Sequence, residues 1–258
     1  MAGWLQLVTF TAIALISALI PSLETSTCAI YRESTLGNAL FITAHPDDET
    51  MFFAPTILSL VSQNVSVEAL CLSNGDSGGL GSMRERELYE AYSILGVENV
   101  RILAHQQIRD NITLQWDSKL LAGIIQHHLE HHKISTIFTF DEQGVSGHPN
   151  HAAIPKALAL VINSGVYPGI KAYSLVTHPL PIKYSGIAAP LLIRLSHVVG
   201  WGKDTCVLAR TRVSNLAGYL TTLRAMRKHD TQLVWFRWLY LAFSRYMWVN
   251  DWAPLQTA

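Results

Sequence analysis

Charge is what this 258-residue chain has least of: only 15% of its residues are Asp, Glu, Lys or Arg, against about 25% in an ordinary soluble domain. With 49% hydrophobic residues, that scarcity excludes a disordered chain and a coiled coil. Net charge is zero, so bulk electrostatics offers no footprint for nucleic acid and no such partner is expected. Cysteine is scarce as well. Cys28, Cys71 and Cys206 are too few and too scattered for a disulfide scaffold or a structural zinc knuckle. Cys71, inside a strand pattern, reads as a small core residue. No P-loop and no GxGxxG occurs, which removes the common nucleotide-binding readings.

What is present begins with an uncharged apolar run, Trp4 to Ile20, closed by Pro21. Its 17 residues sit at the short limit for a membrane-spanning helix. A signal peptide needs a basic leading segment, and no Lys or Arg precedes Arg32. The expectation is one N-terminal transmembrane anchor over 1–22, with a cleaved leader (site near Ser26–Ala29) as the alternative. Arg32, C-terminal to the run, places the body in the cytosol under the positive-inside bias. Two sequons, Asn64-Val-Ser and Asn111-Ile-Thr, oppose that topology only if they are used.

From Asn38 onward, short apolar runs alternate with helical stretches. Strands are expected at Ala39–Thr43, Val65–Leu72, Val100–Leu103, Ile134–Phe140 and Ala172–Thr177. Helices are expected at Thr50–Ser62, Ser82–Leu95, Ser118–Lys133 and Asn150–Ile162. Gly96 is placed to stop the second helix, and Pro155 intrudes on the last. This alternation predicts an α/β fold with a mostly parallel sheet and helices on both faces. Ligand sites in such sheets form beyond the carboxyl ends of the strands.

Two polar clusters fall at those ends: Ala44-His45-Pro46-Asp47-Asp48-Glu49 and Gly147-His148-Pro149-Asn150-His151. His148 and His151 are three apart, so a helix beginning near Asn150 turns both imidazoles to one side. Two His and one carboxylate make a hydrolytic zinc site with an open position. A further carboxylate serves as general base and a further His as a stabilising donor. The competing reading makes Asp47 or Asp48 a helix cap and leaves both histidines on the surface. It weakens once both clusters occupy strand ends in order.

The four histidines 127, 128, 131 and 132 form HHxxHH on a predicted helix. Only Glu130 is near in sequence, so a solvated helix face is expected rather than a second metal site. The loop Ser73–Gly79 lies at the right sheet edge to line a pocket. Residues 203–258 carry eight basic against three acidic side chains, a local charge of +5. Trp235, Phe236, Trp238, Tyr240, Phe243, Tyr246, Trp248 and Trp252 crowd the same region, interleaved with Arg237 and Arg245. That pattern suits a membrane interface, a packed apolar helix, or one face of each.

AHPDDE after the first strand and GHPNH further on resemble the PIG-L/LmbE-like family of zinc-dependent de-N-acetylases. The segments SMRERELYEAYSILGV (82–97), FDEQGVSGHPNH (140–151) and AMRKHDTQLVWFRWLYLAFSRY (225–246) are similar to its eukaryotic branch, which acts on N-acetylglucosaminyl-phosphatidylinositol in GPI-anchor biosynthesis. The resemblance covers nearly all of 38–258. It implies a Rossmann-like, three-layer sandwich domain with aromatic and basic C-terminal helices at about 213–250. It implies a divalent metal, zinc, held by His45, Asp48 and His151. It makes Asp47 the general base, His148 the donor to the tetrahedral intermediate or the leaving amine, and Arg84 a substrate contact, with Glu87 on the helix face. Many bacterial relatives have Asp at the position of Asn150, as partner to His148. The implied partners are a glycolipid and a membrane, and the implied place is the endoplasmic reticulum, facing the cytosol. The alternatives are a de-N-acetylase for a soluble N-acetylglucosamine conjugate and a silent glycan-binding protein.

Overall fold

The computed structural model describes residues 37–199 and 210–256, together with Thr11 and the strand 23–25. The expected anchor, apart from Thr11, lies outside the described residues, as do Cys28 and Cys206. Among the described residues, no helix is long and apolar enough to cross a membrane.

Among the described residues, eight strands form one sheet: β1 (Leu23–Thr25), β2 (Ala39–Thr43), β3 (Val67–Cys71), β4 (Asn99–Ile102), β5 (Thr136–Phe140), β6 (Lys171–Leu175), β7 (Arg210–Val213) and β8 (Val249–Pro254). Their order is β1-β7-β8-β6-β5-β2-β3-β4. β2 to β6 are mutually parallel, and β8, β7 and β1 extend the sheet in antiparallel pairs. Every residue of β2, β3 and β5 is buried, as expected where helices cover both faces.

The main helices are α1 (Ala54–Ser62), α2 (Gly81–Leu95), α3 (Ser118–His131), α4 (Pro149–Asn163), α5 (Ala188–Val199), α6 (Leu216–Met226) and α7 (Trp235–Phe243). β2, β3 and β4 step one way along the sheet, and β5 and β6 step the other way from β2. Right-handed crossovers then put α1 and α2 on one face, α3 and α4 on the other. The packing agrees, with α3 against α4 and α6 against both α1 and α2. Gly96 ends α2 with φ +81°, a conformation that glycine adopts without strain. Pro155 lies inside α4, where it removes one helical hydrogen bond.

The C-terminal region departs from the expectation of helices alone. β8 inserts between β6 and β7 as an interior strand. Trp248 and Trp252 are buried there, and Trp252 stacks on Phe53 at 5.8 Å. β7 had no sequence signal because its buried residues are Arg210, Thr211, Arg212 and Val213 rather than an apolar run.

The HHxxHH helix also departs from expectation. His128 is buried, and Glu68 reaches it from β3 at 3.7 Å while pairing with His132 at 2.6 Å. The rings of His128 and His132 stack at 4.1 Å. Only the other half of the run, His127 with His131, forms the exposed face that the sequence suggested.

Candidate metal centre

β2 and β5 are neighbours, and the chain leaves them toward opposite sides of the sheet. Their following loops therefore meet at the topological switch point. The β2 loop brings His45, Asp47 and Asp48. The β5 loop, with the first turn of α4, brings His148 and His151. All five line one cavity of about 250 Å³, together with Arg84, Asp110, Lys183, Arg237 and Tyr240.

Three ligand atoms converge in it. His151 Nε2 is 3.3 Å from Asp48 Oδ1 and 3.3 Å from His45 Nδ1. Tetrahedral zinc, at about 2.0–2.2 Å from each ligand, spaces neighbouring ligand atoms about 3.3–3.5 Å apart. The other side of each group is already committed. Asp48 Oδ2 accepts the backbone N–H groups of Ala44 (2.8 Å) and His45 (2.9 Å). His151 Nδ1 donates to the Gly144 carbonyl at 3.0 Å, and His45 Nε2 donates to Asn150 Oδ1 at 3.1 Å. With those protons turned outward, the two facing nitrogens present lone pairs. Two lone pairs and a carboxylate oxygen aimed at one point fit a divalent cation. Burial disfavours the Asp48 charge, but His151 and His45 outweigh it and hold the carboxyl well below the usual range. Burial pushes His45 down to about 4, against the pull of Asp48, which keeps its ring neutral as a ligand must be.

Asp47 faces the same cavity with different surroundings. Its φ is +115°, a strained conformation for a residue with a side chain. The strain is held by the Asp47 carbonyl, which accepts from Thr50 Oγ1 at 2.8 Å and Met51 N at 2.9 Å. Its Oδ2 lies 2.8 Å from a guanidinium nitrogen of Arg237, reaching in from α7. Burial pushes the Asp47 carboxyl up to about 6, and Arg237 restrains the rise. Val145 carries a second strain, φ +61° and ψ −41° on a β-branched residue. Val145 N donates to Thr177 Oγ1 (2.9 Å) and Lys183 Nζ donates to the Val145 carbonyl (2.8 Å), and the adjacent Gly144 carbonyl faces His151.

His148 is the N-cap of α4, and its Nδ1 accepts the Asn150 backbone N–H at 3.3 Å. That leaves the proton on Nε2, a donor. Burial lowers the ring's pKa and keeps it neutral. The Asn150 side chain serves His45 rather than His148, contrary to the pairing suggested by bacterial relatives. Its amide also donates to the Leu114 carbonyl at 2.7 Å, while its Oδ1 accepts the Asn111 N–H at 3.2 Å. Trp116, in the loop so tied, stands edge-on to His45 at 5.8 Å. Arg84 sits in the cavity wall with its guanidinium on Asp110 (3.0 Å), the Gly75 carbonyl and Gln232. Glu87 faces the C-terminal segment, accepting from Thr231 N and Oγ1.

Several site residues had no local sequence signal: Asp110, Lys183, Arg237, and His229, which pairs with Glu49 of the first polar cluster at 2.5 Å, both fully buried. Glu49 Oε2 also accepts the Asp47 N–H at 3.1 Å, so this pair steadies the β2 loop. The run Gly75-Asp76-Ser77-Gly78-Gly79 spells GxSxG, the pattern of a nucleophilic serine. Ser77 is exposed in a 3-10 turn several residues beyond β3, not on a tight strand-to-helix elbow.

A doubly wound sheet with a buried His–Asp–His group and a second carboxylate at its switch point has the make-up of a metal-dependent hydrolase. The comparisons with known proteins narrow that class. The PIG-L profile, described as GlcNAc-PI de-N-acetylase, matches residues 40–162. The N-acetylglucosaminyl-phosphatidylinositol de-N-acetylase of Bos taurus is 37% identical over 82% of this chain and 81% of its own length. A probable enzyme of the same name from Schizosaccharomyces pombe is 35% identical over 81% and 83%. The N,N'-diacetylchitobiose deacetylase of Pyrococcus horikoshii shares the fold, with TM-score 0.58, 16% identity and 88% of each chain covered. This chain belongs to the PIG-L family of de-N-acetylases.

Proposed function

We propose that the protein hydrolyses the N-acetyl group of N-acetylglucosaminyl-phosphatidylinositol, the second step of GPI-anchor biosynthesis, with zinc held by His45, Asp48 and His151. The observation that carries the metal assignment is the set of two 3.3 Å separations among three buried ligand atoms whose outer sides are occupied. The relatives' activity supplies the substrate.

The bound ion supplies Lewis acidity to the amide carbonyl and makes water a stronger acid. Asp47, in a buried site that raises its pKa toward neutrality, accepts a proton from the attacking water. The water oxygen bonds to the acetyl carbon, and the carbonyl oxygen gains negative charge. His148 Nε2–H is the donor placed to meet that charge. The C–N bond then breaks as Asp47 returns its proton to the leaving amine, releasing acetate. Arg84 shapes the cavity wall through Asp110 and is the remaining candidate substrate contact. The test is acetate release and metal content measured together on the full chain in detergent. Asp47→Asn retains metal and loses rate, on the order of 10²-fold or more. Wild-type turnover in that variant removes Asp47 from the role.

The same reading makes 38–258 the catalytic domain and 1–22 its anchor, with the domain on the cytosolic face of the endoplasmic reticulum. Its support is the uncharged run followed by Arg32. Asn64 and Asn111 are both exposed, so either is open to glycosylation in the lumen. Glycosidase treatment is expected to leave the mass unchanged, and a shift reverses the topology.

A further inference from the structure

Beside the catalytic cavity runs a second concavity of about 560 Å³, lined by Met51, Tyr184, Phe236, Arg237, Leu239, Tyr240 and Phe243. Four of those residues, Met51, Tyr184, Arg237 and Tyr240, also line the catalytic cavity. The two spaces therefore share a wall, and their chemistry changes across it. The catalytic side holds carboxylates and imidazoles. The groove side is aromatic and aliphatic, with Arg237 the only charged residue among the described residues that line it.

The groove is built mainly by α7. Leu241, on the inner side of α7, is buried, and Tyr240 donates to the Met51 carbonyl at 3.0 Å. The remaining large side chains of α7 face water: Trp235 is 76% exposed, Phe236 53%, Leu239 52% and Phe243 52%. The turn bearing Tyr184 lies alongside, where a side chain at Gly186 would meet Ala242 and Phe243. That turn adds Leu180 and Ile182, also exposed. A soluble surface seldom gathers this much uncovered apolar area without an apolar occupant. Continuity with the catalytic cavity points to the occupant. A substrate with a sugar at one end and acyl chains at the other meets the polar cavity and the apolar groove in that order. Arg237, at the junction, has its guanidinium on Asp47 (2.8 Å) and on Met51 Sδ, so the shared wall is an ion pair that divides the polar cavity from the apolar groove.

We propose that this groove binds the acyl chains of the substrate, so that α7 is the segment through which the enzyme takes its substrate from a lipid surface. The proposal rests on the glycolipid reading above and deepens it. Trp235 and Trp238, exposed on the same helix, suit the interface between headgroups and chains.

The experiment compares kcat/KM of the full-length enzyme on two monomeric substrates: the dihexanoyl form of N-acetylglucosaminyl-phosphatidylinositol and its fully deacylated glycerophospho form. Each methylene buried is worth about fourfold in binding, so wild type is expected to favour the acylated substrate on the order of 10²-fold or more. Leu239→Ser with Phe243→Ser, both at exposed positions, is expected to cut that preference to below about tenfold. Val166→Ser, on an exposed loop that lines neither cavity, is the control and keeps the full preference. A double variant with undiminished preference overturns the proposal. Parallel loss on both substrates also overturns it, because the groove is then filled by protein, from this chain or a partner. Equal wild-type rates on the two substrates sink the groove but leave the deacetylase reading standing. No activity on either sinks both.

Discussion

Asn150 Oδ1 accepts the proton of His45 Nε2 at 3.1 Å, and by doing so it turns the other nitrogen of that ring inward to the ligand triangle. Asp110 Oδ1 stands 3.4 Å from the same nitrogen, so an amide and a carboxylate together set the tautomer, and the amide's second arm anchors the loop at Leu114.

Asn150→Ala is therefore expected to weaken metal affinity by about 10–100-fold, the usual effect of removing a ligand's outer partner. Asn150→Asp keeps the acceptor toward His45 and is expected to retain most of the affinity. Competition against a chromogenic chelator measures both. Equal affinity in wild type and Asn150→Ala would assign the holding of the ring to Asp110 alone, the other acceptor near His45 Nε2.

Loss of a ligand is more severe. His45→Ala, Asp48→Ala and His151→Ala should each lose metal and activity together, since each removes one of three converging atoms. His148→Ala should keep its metal and lose rate. Elemental analysis beside the acetate assay separates these cases, and a His148 variant without metal would move that residue into the ligand set.

A pH effect on stability follows from Asp251. It accepts from Arg245 at 2.6 Å, His178 at 2.8 Å and Thr211 at 2.7 Å, inside the sheet. Burial alone would raise its pKa, but Arg245 and His178 hold it well below the ordinary carboxylate range. A depressed folded-state pKa gives stability that is full above the unfolded pKa, about 3.9. That stability is lost as pH falls from there toward the folded value. Denaturant titrations between pH 7 and pH 3 should show the loss below about pH 4. Asp251→Asn should be less stable at neutral pH, on the order of 3–5 kcal/mol, because Arg245 is left buried without its counter-charge. A variant with the wild-type acid limb would assign the loss to another carboxylate.

His128 predicts the opposite sign. Both of its ring nitrogens are buried without a hydrogen-bond partner among the described residues, and Glu68 is already satisfied by His132. An unsatisfied buried polar group costs about 1–3 kcal/mol. His128→Leu should raise the melting midpoint by about 2–4 °C per kcal/mol recovered. A clear fall in Tm would show that the 3.7 Å approach to Glu68 is worth more than the desolvation.

The parallel half of the fold and the two polar clusters were legible because both signals are local. ALFIT is an unbroken buried strand, and AHPDDE begins where it ends. Arg237 was invisible as a site residue because its partner, Asp47, lies at the other end of the domain sequence and no periodicity links them. Glu68 was invisible for a similar reason, since a lone acid within an apolar strand says nothing of the helix it will meet. In the aromatic tail composition gave both a wet and a packed part but not the boundary: the rings divide into the exposed α7 and the buried Tyr246, Trp248 and Trp252, whose separate fates depend on β8 entering the sheet.

Trp116 gives the centre an optical readout. Its indole is buried edge-on to a ligand ring, while Trp248 stacks on Tyr219 elsewhere in the core. Indole emission responds to the charge and electron density of a neighbouring imidazole. Loading and stripping of the ion are therefore expected to change the Trp116 contribution to the ultraviolet fluorescence of the chain's seven tryptophans, with no label attached and no substrate turned over.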